Sequence, residues 1–244
     1  MEEKNIPLPH DIISLVAPPN GLKHVLLEKT SKEEILQGII KGLVELEKEG
    51  ISTFIDYREN GYEGVKLLKN ALQHSSINSI ILARPLTDHT TTNELRKILS
   101  ESNGIGLSSV EDYPYEEITF ISEFTKKENK LLSFHVSERI RENIDRILHL
   151  NPDIIVHMTQ ASKKDLAIVK KKNIPIVVCP RSNQFFEMKA NLENIKKIKN
   201  QILIGSDNFM FHTPSILQEI KFIRTYFPGQ FSISELFRMA TYDA

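Results

Sequence analysis

From residue 31 onward the chain alternates short apolar runs with segments whose apolar residues recur at helical spacing, and no other feature narrows its fold so far. Seven such runs, at 51–56, 80–84, 104–108, 131–135, 154–157, 174–179 and 202–207, are each rich in Ile, Val or Leu. Runs that are apolar throughout suit strands of a parallel sheet buried on both faces, with the intervening helices as crossovers. The helix ends carry matching chemistry: Ser31 with Glu34 and Ser232 with Glu235 form S-x-x-E capping boxes, and Gly50 follows the last turn of the first long helix. The expectation is an α/β fold, a (β/α) TIM-type barrel. An open doubly wound sheet ranks second, because no G-x-G-x-x-G follows a strand.

A chain of 244 residues with 40% hydrophobic content can bury one sizeable core, so a single domain over 1–244 is expected. The barrel is expected to be incomplete, since about eight strands close one. Residues 1–30 are polar, contain prolines and read as a loop segment leading into the first helix, which makes the missing strand the first. At the other end ATYDA offers neither Gly nor Pro to stop the last helix, so both ends read as cut.

Charges nearly cancel, with a formal net charge of -1, and this argues against nucleic acid or an anionic membrane as partner and for a small-molecule substrate. A homo-oligomer is left open. The single cysteine, Cys179, cannot form an intrachain disulfide, in keeping with a reducing compartment. No run approaches about 18 consecutive apolar residues, and MEEKNIPLPHD has no signal-peptide pattern, so a cytoplasmic location is expected.

Active sites of parallel barrels gather where strands end, which directs attention to the polar residues closing each run. These are Asp56, Arg84, Ser108 with Ser109, His135, His157, Cys179 and Asp207. One histidine after an apolar run is more often a hydrogen-bonded core residue than a ligand. Two histidines and an aspartate in equivalent positions are harder to dismiss, because imidazole and carboxylate donors around one mouth suit zinc, iron or manganese. Glu138 follows His135 by three residues and can face the same mouth as a proton shuttle, although a helix N-terminal carboxylate is an equal reading.

HVSE, the histidine ending the next strand, CPRSN and GSDN together resemble the amidohydrolase superfamily, in the branch of cytosine, adenosine-type and cyclic-amidine deaminases and triazine chlorohydrolases. The resemblance runs from about residue 15 to 244, with FIDYRENG similar to the second strand and FRMATYDA to the terminal helix. It implies His135 as a metal ligand, His157 as the histidine that polarises substrate, Asp207 as the carboxylate that touches metal and takes a proton from water, and Glu138 as the proton carrier. His24 is implied as a pocket residue, and Arg84 joins it as a candidate substrate-binding residue. The implied reaction is hydrolytic deamination of a nucleobase, nucleoside or related cyclic amidine, with cyclic-amide hydrolysis or dechlorination second. The implied cofactor is one divalent metal ion, zinc before iron or manganese. No lysine ends an apolar run, which favours a mononuclear site. The family's first strand supplies a His-x-His pair, and no two of the eight histidines here are separated by one residue. A catalytically incomplete fragment or ligand-binding remnant therefore stands as the alternative.

Overall fold

The computed structural model describes residues 8–86, 90–198 and 201–244, which fall into two compact units. The first comprises residues up to Leu107 together with Asp112–Leu132; the second comprises Ser108–Glu111 and Ser133–Ala244.

In the first unit β1 (Thr53–Arg58), β2 (Asn78–Ala83) and β3 (Gly104–Leu107) lie in chain order and pair in parallel, with Tyr57 opposite Leu82 and Leu82 opposite Gly104. The long helix Lys32–Lys48 begins with the expected Ser31/Glu34 capping box and covers a cluster of Leu43, Leu46, Ala71 and Ile77. Gly64 sits so close to the turn after β1 that a Cβ there would lie 1.8 Å from the Glu59 carbonyl oxygen, so helix Gly61–Leu72 can approach only through a glycine. Residues 1–30 were expected as loop, yet Ile12–Leu15 and Leu22–Lys29 are helical. Asp11 caps the first of these by accepting from the Ser14 amide at 2.8 Å, and LKHVLLEK consists mostly of helix-favouring residues. Among the described residues no strand precedes β1.

The second unit holds most of β4 (Leu131–Val136), then β5 (Ile154–His157), β6 (Ile176–Val178) and β7 (Ile202–Ile204), again parallel and in chain order. Phe134, Val136, Ile155, Ile176 and Val178 are buried with Ile147, Leu166, Val169 and Ile223 of the helices, which explains the apolar runs. Helix Lys163–Lys172 opens on a capping box of Ser162 and Asp165 and ends on Asn173 in the left-handed region. The last helix, Ile233–Ala240, needs neither Gly nor Pro to stop: the Asp243 amide donates to the Arg238 carbonyl at 2.8 Å, and the two side chains form an ion pair at 2.9 Å.

Seven parallel strands interleaved with helices make this an incomplete α/β barrel of the TIM type. The strand bounds differ from the apolar runs where pairing decides them. The first run shifts to 53–58, because Thr53 is the first residue opposite β2, and the sixth and seventh shorten to three residues each. Asp56 therefore lies within β1, paired with Arg58, and does not end it. No helix of the described residues is long and apolar enough to cross a membrane.

Candidate metal centre

Three turns in the second unit leave ordinary backbone geometry at the same level of the sheet. Ser137 follows β4 with φ 49°, His157 and Met158 close β5 with φ 75° and 54°, and Asp207, three residues beyond β7, has φ 58°. Left-handed backbone at residues other than glycine costs about 1–2 kcal/mol each and persists where neighbours fix it. The neighbours are visible: the Met158 amide donates to the Val136 carbonyl at 2.9 Å, the Gln160 amide to Ser137 at 2.7 Å, and the Gly205 amide to Val178 at 3.0 Å.

These turns bring Glu138, His157 and Asp207 together, each offering one ligand atom within 4.8 Å of the others. His157 is almost fully buried, and among the described residues neither ring nitrogen has a hydrogen-bond partner. Its Nε2 lies 3.4 Å from Glu138 Oε1 without forming a hydrogen bond. Burial lowers its pKa to about 3, so the ring is neutral at neutral pH and keeps a lone pair for a cation. An orphaned neutral imidazole between two carboxylates is an arrangement a divalent cation satisfies, and the donor types suit zinc, iron or manganese. His135 is not in this donor group, but its ring stands 5.2 Å from that of His157 at 39°.

The CPRSN segment supports the group from helix Pro180–Phe185. The buried Ser182 hydroxyl donates to Asp207 Oδ2 in a short hydrogen bond, which ties down one carboxylate oxygen. Cys179 is buried, and burial first, with Asp207 and Glu219 second, pushes its thiol well above the ordinary value, so it is not poised as a thiolate. Behind it Glu219, on helix Ile216–Tyr226, accepts from the Arg181 amide at 3.2 Å, and burial raises its carboxyl to about 7. His212 packs edge-on to Phe185 and Phe211, and burial lowers its pKa.

His24 and Arg84 lie in the first unit, each in a different relation to Glu59. The Arg84 guanidinium donates to Glu59 Oε1 at 2.8 Å, Lys23 pairs with the same oxygen at 2.5 Å, and His24 Nε2 faces the Val16 carbonyl at 3.2 Å. Burial pushes Glu59 upward, but Arg84 and Lys23 outweigh it and hold the carboxyl at about 2. Burial and then Lys23 lower the His24 pKa. His89, which follows the second apolar run, lies outside the described residues.

Sequence reasoning missed Glu59, Lys23, Ser182 and Glu219. Glu59 and Ser182 sit inside the quoted segments FIDYREN and CPRSN, where proximity to a strand end was the available signal. Glu219 is one of many glutamates on helices, and nothing local distinguishes it from a solvated one.

A sequence model described as the amidohydrolase family matches residues 10–244. An uncharacterized protein of Methanocaldococcus jannaschii is 33% identical over 259 aligned positions, covering 98% of this chain and 67% of the relative. Among solved structures, the guanine deaminase of C. acetobutylicum with bound guanine aligns at TM-score 0.64 and 20% identity, covering 85% of this chain and 60% of that one. The zinc complex of atrazine chlorohydrolase from Arthrobacter aurescens aligns at TM-score 0.75 and 14% identity, covering 98% and 66%. The chain thus spans about two thirds of the length of these proteins.

Proposed function

Because the chain belongs to the amidohydrolase family, we propose that it works as a metal-dependent hydrolase that removes an amino group from a nucleobase, nucleoside or related cyclic amidine. The observation that carries the reading is the buried, neutral His157 with two unpartnered nitrogens beside the carboxylates of Glu138 and Asp207. HVSE adds to it, because that segment resembles the deaminating and dechlorinating members, and so do the guanine deaminase and atrazine chlorohydrolase among the structural neighbours.

In this reading Asp207 and His135 hold one divalent ion, zinc before iron or manganese, with Glu138 and His157 beside it. When bound, the ion lowers the pKa of water enough to make a nucleophile near neutral pH. Asp207 would serve as the proton acceptor, one of its oxygens being held by the Ser182 hydroxyl. Glu138 delivers a proton to the ring nitrogen or the departing amine. His157, neutral, donates a hydrogen bond to the charge that develops on the attacked ring.

Metal content and ammonia release test the reading together. The purified protein should carry about one zinc per chain and deaminate a cytosine-, guanine- or adenosine-like compound, and Asp207→Asn should lower turnover by about a thousandfold or more, roughly 4 kcal/mol of barrier. Ammonia release that survives Asp207→Asn defeats it. A second reading, a ligand-binding remnant without turnover, draws on the donor set: one imidazole and two carboxylates, where the resemblance implies a further His-x-His pair. Retained metal with no ammonia release favours that second reading.

A further inference from the structure

Glu142 is buried to 5% exposure, and its carboxylate is fully engaged by hydrogen-bond donors. Oε1 accepts from the Ser109 hydroxyl at 2.7 Å and from the Val110 amide at 3.1 Å, while Oε2 accepts from the Ser137 amide in a short hydrogen bond. The Glu142 amide returns the contact, donating to the Ser137 hydroxyl oxygen at 3.1 Å. Ser137 is thereby held at its amide and its hydroxyl by Glu142 and at its carbonyl by the Gln160 amide, 2.7 Å away. It is also 1% exposed and left-handed at φ 49°, a conformation that a serine adopts only when its surroundings impose it. The next residue is Glu138, whose carboxylate meets His157 and Asp207.

We propose that Glu142 is a positioning residue: its carboxylate fixes the 137–142 turn through Ser137 and so aims Glu138 at the candidate metal centre. The inference rests on the proposed function for what Glu138 does there, but the clamp itself stands on hydrogen bonds. It also gives a use to Ser109, a strand-end residue that the reaction leaves idle. A carboxylate is required because three donors converge on its two oxygens; a carboxamide offers one oxygen and one NH₂, so one main-chain amide must face another donor. Burial pushes the Glu142 carboxyl upward and the three donors pull against it. A merely space-filling glutamate needs no such set of donors.

Amide hydrogen exchange on the metal-free chain reads the clamp without reference to activity. Glu142→Gln, nearly isosteric, should speed exchange at 137–142 by about tenfold or more while amides of β5 and β6 keep their rates; unchanged exchange at 137–142 overturns the clamp. Ser109→Ala, which removes one donor and leaves the carboxylate, should speed the same amides by less, and it serves where Glu142→Gln does not fold. For aim, kcat is compared in Glu138→Gln, Glu142→Gln and the double variant. A positioning role predicts a kcat loss with KM unchanged in Glu142→Gln, and a double variant no slower than Glu138→Gln alone; losses that multiply overturn it. If Glu138→Gln leaves turnover intact, the proposed reaction has failed at Glu138, and the exchange result still decides the clamp.

Discussion

The carboxyl ends of β1 and β2 and those of β5 and β7 both gather ionisable groups away from water, but only the first set is closed on itself. Glu59 has Arg84 and Lys23 on one oxygen, and its carboxyl is held at about 2. His157 has two carboxylates close by and a hydrogen bond to neither nitrogen, and its pKa is pulled to about 3 by burial alone. A satisfied ion cluster holds its unit in shape. An unsatisfied donor group costs stability unless a cation joins it. The difference lies in pairing, since the two groups share burial and position at strand ends.

The comparison breaks most visibly at Glu59. Glu59→Gln leaves the buried Arg84 without its counter-charge and should cost about 3–5 kcal/mol in urea unfolding, with zinc retention unchanged; a loss below about 1 kcal/mol makes the cluster ornamental. Next in size is acid sensitivity. Because the Glu59 carboxyl is depressed in the folded chain, its contribution is full above the ordinary carboxylate value and fades as pH falls toward about 2, amounting to about 3 kcal/mol. His157 is also depressed, so its contribution fades from a higher starting point, about 6.5, down to about 3. Stability measured against pH should therefore lose its lower limb in Glu59→Gln and its upper limb in His157→Gln; a single shared limb contradicts the separation.

Zinc sharpens the comparison from the other side. At a hundredfold excess over its Kd, zinc should add about 2.7 kcal/mol, roughly 5–10 °C in Tm for a chain of this size. The gain should vanish in Asp207→Ala and persist in Glu59→Gln, and a gain that survives Asp207→Ala places the ion elsewhere. The smallest effect is expected at Ser182. Ser182→Ala frees one Asp207 oxygen and should weaken zinc retention by about tenfold, the lower end for a residue that orients a ligand. Chelator competition reads it, and unaltered retention shows that Asp207 is fixed by its backbone alone.

How much of this was legible beforehand depended on whether the signal was local. His135, His157 and Asp207 could be picked out because an apolar run that stops at a polar residue marks where a buried strand reaches the surface. The same logic failed at Asp56, which the run placed at a strand end and which pairing with β2 puts inside β1 beside Arg58. Glu138 stood out by its three-residue spacing from His135. Glu142, four residues further in the same segment, looked like any glutamate at a helix start, because its three donors come from residues 109, 110 and 137. Residues 12–15 and 22–29 were read as loop because prolines and polarity outweighed the short helical stretches between them.

The sequence by itself determined the α/β alternation, the parallel strands and the short list of polar residues that end them, since periodicity and capping are properties of neighbouring residues. Tertiary structure alone decided which of those residues meet. Glu138 and Asp207 come from turns after different strands, and parallel register, together with the left-handed turns at Ser137, His157 and Asp207, fixes their separation. It also decided which charges are paired, because a carboxylate's partner is set by what folds against it and not by what precedes it in the chain.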